Sequence, residues 1–198
     1  MPDPCIQFYT LAELEEFAQI FIGKFHNPPD SLPVKIDLIT ERNLDVSIID
    51  YSMLKEKYGL EAFLALGKKT IYVDQDLMDS DAYENRYRFT IAEEVSHRIL
   101  HARLFKDVKD VNEYFDTLDK IKQFQLARMD KDAKYLASAI LMPTTIFTKL
   151  ATDYVTELSG RGNVLRYNVV TKLSKVFEVS FETASIRFEQ LKLDRLIS

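Results

Sequence analysis

The stretch FTIAEEVSHRILH, residues 89–101, decides how this chain is read. Glu93, His97 and His101 recur every fourth residue, and Ile91, Ala92, Val95 and Ile99 supply apolar neighbours. That spacing predicts a helix over about 87–105, with the three polar side chains one turn apart on one face. Two donors at i and i+4 are what a helix needs to hold a metal ion. In the pattern His-Glu-x-x-His the two His bind zinc, and the intervening Glu reaches the metal's water as general base. Here Glu93 and His97 stand at the ligand positions and Glu94 at the base position. His101 is either a further ligand or the hydrogen-bond support of one. A plainer reading stands beside this one: Glu94 and Arg98 have the spacing of a surface ion pair, and Glu93 can hydrogen-bond His97 with no metal present.

The flanks narrow the choice. Arg88-Phe89-Thr90-Ile91-Ala92 precedes the motif. Some 40 residues later comes DKDAKYLASAILMP, residues 130–143. With these pieces in this order the chain resembles the ImmA/IrrE family of zinc metallopeptidases. Their pattern runs R-F-T-x-A-H-E-x-x-H-x-x-x-H and then E-A-N-x-F-A-x-x-L-L-M-P. The resemblance implies an α+β, zincin-like metallopeptidase fold and a third metal ligand at the Glu of the second motif. Aligning on Leu141-Met142-Pro143 puts Asp132 there. The implied site is then Glu93, His97 and Asp132 around a divalent ion, zinc first and manganese as the alternative, with Glu94 as catalytic base.

Two of the three ligand positions depart from that pattern, and the departures have consequences. Two carboxylates and a neutral His around a divalent ion sum to zero, where two His and one Glu leave +1. A less positive site lowers the pKa of bound water less, and carboxylates favour harder ions such as manganese or magnesium. Asp132 is one methylene shorter than Glu, roughly 1.5 Å of reach. Asp130 and Asp132 also read as acidic residues capping the start of a helix that carries Ala133 to Leu141.

Outward from the motif, Thr10-Leu11-Ala12-Glu13 has the spacing of a capping box. A helix follows on Leu14, Phe17, Ala18, Phe21 and Phe25 and stops before Asn27-Pro28-Pro29. A second, short helix is expected over 31–41, with Pro33 in its first turn. His26, in the Pro-rich turn, reads as solvated. Residues 45–50, 61–66 and 70–74 read as strands, the last two a hairpin through Gly67-Lys68-Lys69, giving a small antiparallel sheet beside the motif helix. Residues 112–150 are helical by pattern with a break near Pro143. Gly160-Arg161-Gly162-Asn163 is the strongest breaker, dividing a metallopeptidase-like domain (1–160) from a helical segment (161–198).

That last segment, helix, Phe177-Glu178-Val179-Ser180, helix, resembles a helix-turn-helix. Its second helix has one Arg, Arg187, where a base-reading helix shows several polar residues. The alternative is a helical hairpin packed on the first domain, with Val179, Ala184 and Ile186 buried. The segment holds seven Lys/Arg against four Asp/Glu, +3, in a chain of 198 residues with net charge −5. The remaining −8 argues against non-specific nucleic-acid binding over the body. One cysteine, Cys5, allows no intrachain disulfide and no four-cysteine zinc site. No secretory signal or membrane-length apolar run is visible, so the expected location is the cytoplasm.

The resemblance implies limited proteolysis of a cytoplasmic transcriptional regulator, with a helix-turn-helix repressor as the protein substrate. The alternatives are a catalytically impaired relative that binds a protein partner, or a DNA-contacting regulator acting through residues 164–192.

Overall fold

A computed structural model describes residues 6–160 and 165–197. The break at Gly160 through Asn163 therefore falls largely outside the described residues. The chain opens with α1 (Leu11–Phe25), started by the expected capping box. The Glu13 amide donates to Thr10 Oγ1 at 3.3 Å, and the Thr10 amide donates to Glu13 Oε2 at 2.7 Å. Leu14, Ala18, Phe21 and Ile22 form its buried stripe. His26 ends it and is buried, not solvated as the turn composition suggests: Nε2 donates to the Ser31 carbonyl at 2.7 Å. Ser31 is thereby held in a turn, so α2 (Ile36–Arg42) starts five residues later than its Ser-Leu-Pro opening predicts.

The sheet is β1 (Ser47–Tyr51), β2 (Ala62–Ala65) and β3 (Thr70–Asp74), in the order β1-β3-β2. β2 and β3 form the expected antiparallel hairpin, with Ala65 opposite Thr70. β1, however, runs parallel to β3, so the sheet is mixed and not antiparallel throughout. The cause is the β1–β2 connection. It contains α3 (Leu54–Tyr58), closed by Gly59 at φ 71°, and carries the chain to the far edge, leaving the central place for β3. Gly67 sits where a backbone passes close by: its amide donates to the Val108 carbonyl at 2.8 Å, and a Cβ there would lie 2.9 Å from that oxygen.

After α4 (Gln75–Asp79) comes α5 (Glu84–Phe105), the motif helix, which leaves helical geometry at His101. It lies across β2 and packs most heavily on α7. The expected long helical stretch is divided twice: α6 (Val111–Leu118), α7 (Gln123–Leu141) and α8 (Thr144–Ser159). The second break is at Pro143, as read. The first is not announced by any Gly or Pro. Because α7 begins at Gln123, Asp130 and Asp132 lie past its first turn and do not cap it.

The last two helices are α9 (Arg166–Phe177) and α10 (Phe181–Gln190), the latter capped by Ser180 Oγ, which accepts from the Thr183 amide at 3.0 Å. They pack on each other and on α8 and α7. Val179 and Ala184 are buried as expected, but Ile186 is 48% exposed. It faces a groove and not the core.

Candidate functional site

The site is built where α5 and α7 run side by side. Glu93 and His97, one turn apart on α5, meet Asp130 and Lys134, one turn apart on α7. Lys134 Nζ lies 3.7 Å from Glu93 Oε1, and His97 Nε2 lies 3.9 Å from Asp130 Oδ1. His97 Nδ1 is 3.1 Å from Nδ1 of His101, one nitrogen donating and the other accepting. The second ring nitrogen of His101, Nε2, is buried with no partner among the described residues.

Asp132 is not brought to Glu93 and His97, though it lies near enough to His101 for its charge to favour the protonated ring against burial. Successive helix residues turn by about 100°, so two residues apart point roughly 200° apart. With Asp130 turned to His97, Asp132 points to the other side of α7. There it is 3% exposed. Its Oδ1 pairs with Arg128 Nε at 2.9 Å, and its Oδ2 accepts from the Tyr9 amide at 3.3 Å. Arg128 Nη2 donates to the Tyr9 carbonyl at 2.6 Å, and the Tyr9 hydroxyl donates to the Leu100 carbonyl at 3.2 Å. Asp132 thus fastens the entry of α1 to α7.

Glu94 is no surface residue. It is buried, and Arg98 instead reaches the Leu44 carbonyl. Burial, with the Glu93 and Asp130 carboxylates nearby, pushes the Glu94 carboxyl up to about 8. Burial likewise raises Glu93 to about 7, against the pull of Lys134. Burial lowers His97 to about 3, helped by His101 and Lys134, and lowers His101 to about 4. Both rings are therefore neutral near pH 7, and the His97–Asp130 approach is no ion pair. Tyr114, from α6, is half-buried and close enough to Glu94, Asp130 and Glu93 for their charges to add to the desolvation that raises its hydroxyl.

The resemblance implies a divalent ion at these donors. Among the described residues no three His, Cys, Asp or Glu side chains converge to hold a metal. Glu93 faces an ammonium group, His97 is bonded to His101, and Asp132 is held by Arg128 and Tyr9. The set does not fit such an ion in this arrangement. The sequence pattern pointed to Glu93, His97 and Glu94. It missed Lys134, whose signal was its i, i+4 spacing from Asp130, matching Glu93 and His97 on the facing helix.

Beside the cluster, a cavity of about 580 Å³ opens between α5, α7 and α10, walled by Phe89, Tyr135 and Ile186. Ser138 lines it with a buried hydroxyl that has no partner among the described residues. Arg187 of α10 lies on the opposite side, fully buried. Its Nη1 donates to Glu15 Oε1 at 2.7 Å, Nη2 to Thr144 Oγ1 at 2.8 Å, and Nε to the Met142 carbonyl at 3.2 Å. The one basic residue of α10 is thus turned away from any DNA.

A family model described as the IrrE N-terminal-like domain matches residues 42–189. Among solved structures, the chain is similar to a Mycobacterium tuberculosis transcriptional regulator, at 16% identity and a TM-score of 0.59. The match covers 94% of this chain and 49% of that one, so the chain spans about half the length of that regulator. No curated protein matches. Among the described residues no helix is long and apolar enough to cross a membrane.

Proposed function

We propose, from the fact that the chain belongs to the IrrE N-terminal-like domain family, that it is a regulatory module of peptidase fold that binds a protein partner without hydrolysing it. The observation that carries this reading is the commitment of Asp132 to Arg128 and the Tyr9 amide, which removes the third ligand from Glu93 and His97. Without a metal there is no activated water for Glu94 to deprotonate. The groove walled by Phe89, Tyr135 and Ile186 is the surface for an apolar segment of that partner, with Ser138 as its buried polar anchor. In this reading α9 and α10 are a clamp on the groove and not a DNA reader, because Arg187 is enclosed. The similarity to a transcriptional regulator supports a regulatory role, with a helix-turn-helix repressor as one fitting partner.

A second reading is favoured by one contact, that of Asp130 with His97 Nε2. A metallopeptidase with a changed donor set, using Asp130 or Asp132 beside Glu93 and His97, would take zinc or manganese and cleave a regulator with Glu94 as base. Metal analysis by mass spectrometry on tag-free protein separates the two. The binding module stays metal-free after soaking with zinc or manganese. Close to one equivalent of metal, lost in both Glu93→Ala and His97→Ala, would overturn it, and cleavage abolished in Glu94→Gln would then establish the peptidase.

A further inference from the structure

The groove between α7 and α10 holds two polar groups that the fold leaves unused. Ser138 is 3% exposed, and its hydroxyl has no partner among the described residues. Elsewhere in this chain helical hydroxyls such as those of Thr40, Ser96 and Thr117 donate to the carbonyl four residues back. Ser138 does not. The second group is the carboxamide oxygen of Gln190, Oε1, which is buried and equally without a partner among the described residues. Ser138 on α7 and Gln190 on α10 line the same cavity of about 580 Å³. Gln190 follows Ile186 by one turn, so the amide and the apolar wall share one face of α10. We propose that this pair reads a peptide group: the groove takes an extended, apolar and uncharged segment of the partner, whose backbone N–H donates to Gln190 Oε1 and whose carbonyl accepts from Ser138 Oγ. This rests on the reading of the chain as a module that binds a protein partner in this groove.

The chemistry of the lining selects that occupant. Phe89, Tyr135 and Ile186 offer apolar and aromatic surface, which suits an apolar side chain. An unmet acceptor and an unmet hydroxyl in a shielded place call for one donor and one acceptor, and each costs free energy until it is met. A peptide unit carries both groups close together. A helical segment would not serve, because its N–H and C=O groups are spent on one another, whereas an extended chain leaves them free. Charge selects as well. Around the lining Lys131 and Lys134 are balanced by Asp130 and Glu182. A charged ligand would therefore give up its hydration for no net attraction, and a neutral segment would not.

The test is NMR titration of the full chain with the blocked peptide acetyl-Leu-Phe-Leu-amide and with its analogues methylated in turn at each backbone nitrogen, for the native protein, Ser138→Ala, Gln190→Leu and Ile186→Asp. Expected is binding that Ile186→Asp abolishes and that Ser138→Ala and Gln190→Leu each weaken by about 3- to 10-fold, the worth of one hydrogen bond. Methylation at one backbone position should weaken binding to the native protein as much, and should cost nothing further in Gln190→Leu, because the two partners of one bond are coupled. The melting temperature of the free protein is the second readout: neither Ser138→Ala nor Gln190→Leu should lower it, since each removes a polar group that the fold does not satisfy. Equal losses on methylation in the native protein and Gln190→Leu, or unaltered affinity in both single variants, would overturn the reading of a peptide group, while binding abolished by Ile186→Asp would keep the groove as the partner's surface. No binding at millimolar peptide, or binding that Ile186→Asp leaves intact, would overturn both.

Discussion

Replacing Arg187 by Ala tests how the last helices are held. The side chain is fully buried, and all three of its nitrogens are bonded, to both Glu15 oxygens, Thr144 and the Met142 carbonyl. Glu15 also accepts from the Tyr135 hydroxyl at 2.8 Å. Removing Arg187 leaves a carboxylate, a carbonyl and a hydroxyl without their shared donor, at the edge of a cavity of about 290 Å³ that Glu15 and Thr144 line. Breaking a buried pair from one side costs about 3–5 kcal/mol. For a chain of this size that lowers Tm by roughly 6–20 °C, read by circular-dichroism melts and urea titration. The double variant Glu15→Gln/Arg187→Met removes both charges together. It should cost about 1–3 kcal/mol less than the sum of the single changes, because the partners are coupled. Glu15 supplies a second readout. Burial raises its pKa, but the Arg187 guanidinium and the Thr144 and Tyr135 hydroxyls outweigh that and hold it below its ordinary value. Its contribution is therefore present above the unfolded pKa and lost as pH falls, and Arg187→Ala should weaken this acid sensitivity. A single-variant loss below about 1 kcal/mol, with additive behaviour in the double, would refute the clamp.

Stability should be flat between about pH 4.5 and 6.5 and fall on both sides. Glu93 and Glu94, raised from 4.5 to about 7 and 8, lose their stabilising contribution as pH rises. His97 and His101, lowered from 6.5 to about 3 and 4, lose theirs as pH falls. The two pairs offset each other in the window, and from pH 6.5 to 8 the loss is about 2–3 kcal/mol. Glu94→Gln should flatten that upper limb in urea titrations, and an unchanged limb would show that Glu94 is hydrated. Asp132→Asn should destabilise by about 1–3 kcal/mol through Arg128 and the Tyr9 amide, seen as faster amide exchange at the start of α1, whereas unaltered exchange there would place the anchor elsewhere. Gly67→Ala should cost about 1–3 kcal/mol, because the obstructing atom is the Val108 backbone oxygen. A melting temperature unchanged by that substitution would mean the loop moves freely.

Local rules carried the sequence reading where local rules decide the structure. The Thr10–Glu13 box, the hairpin through Gly67 and the Ser180 cap each depend on residues close along the chain, and each is in place. Where a long-range partner decides, the reading failed. Strand direction in β1 depends on where β3 inserts, which no pattern in residues 45–50 encodes. A local contact can also be missed: His26 reads as solvated until its bond to Ser31, five residues on, is known. The enclosure of Arg187 depends on Glu15, 172 positions earlier, which no local pattern announces. The site shows the same division. The i, i+4 pair Glu93 and His97 is legible from spacing alone. Which of Asp130 and Asp132 faces it is not, since a shift of two residues along α7 turns a side chain to the opposite side.

That rotation links the site to the rest of the fold. α7 presents three commitments in one short stretch. Asp130 and Lys134 face the motif helix, Arg128 and Asp132 hold the entry of α1, and Tyr135 joins the Glu15–Arg187 pair that fastens α10. Turning α7 enough to bring Asp132 to Glu93 and His97 would break the Tyr9 and Arg128 contacts, withdraw Lys134 from Glu93 and pull Tyr135 from Glu15. The Tyr9, Arg128 and Tyr135 contacts are buried or half-buried, and each loss leaves a group unsatisfied at about 1–3 kcal/mol apiece, while the exposed Lys134 pair adds less. A metal would have to return more than their sum to recruit Asp132.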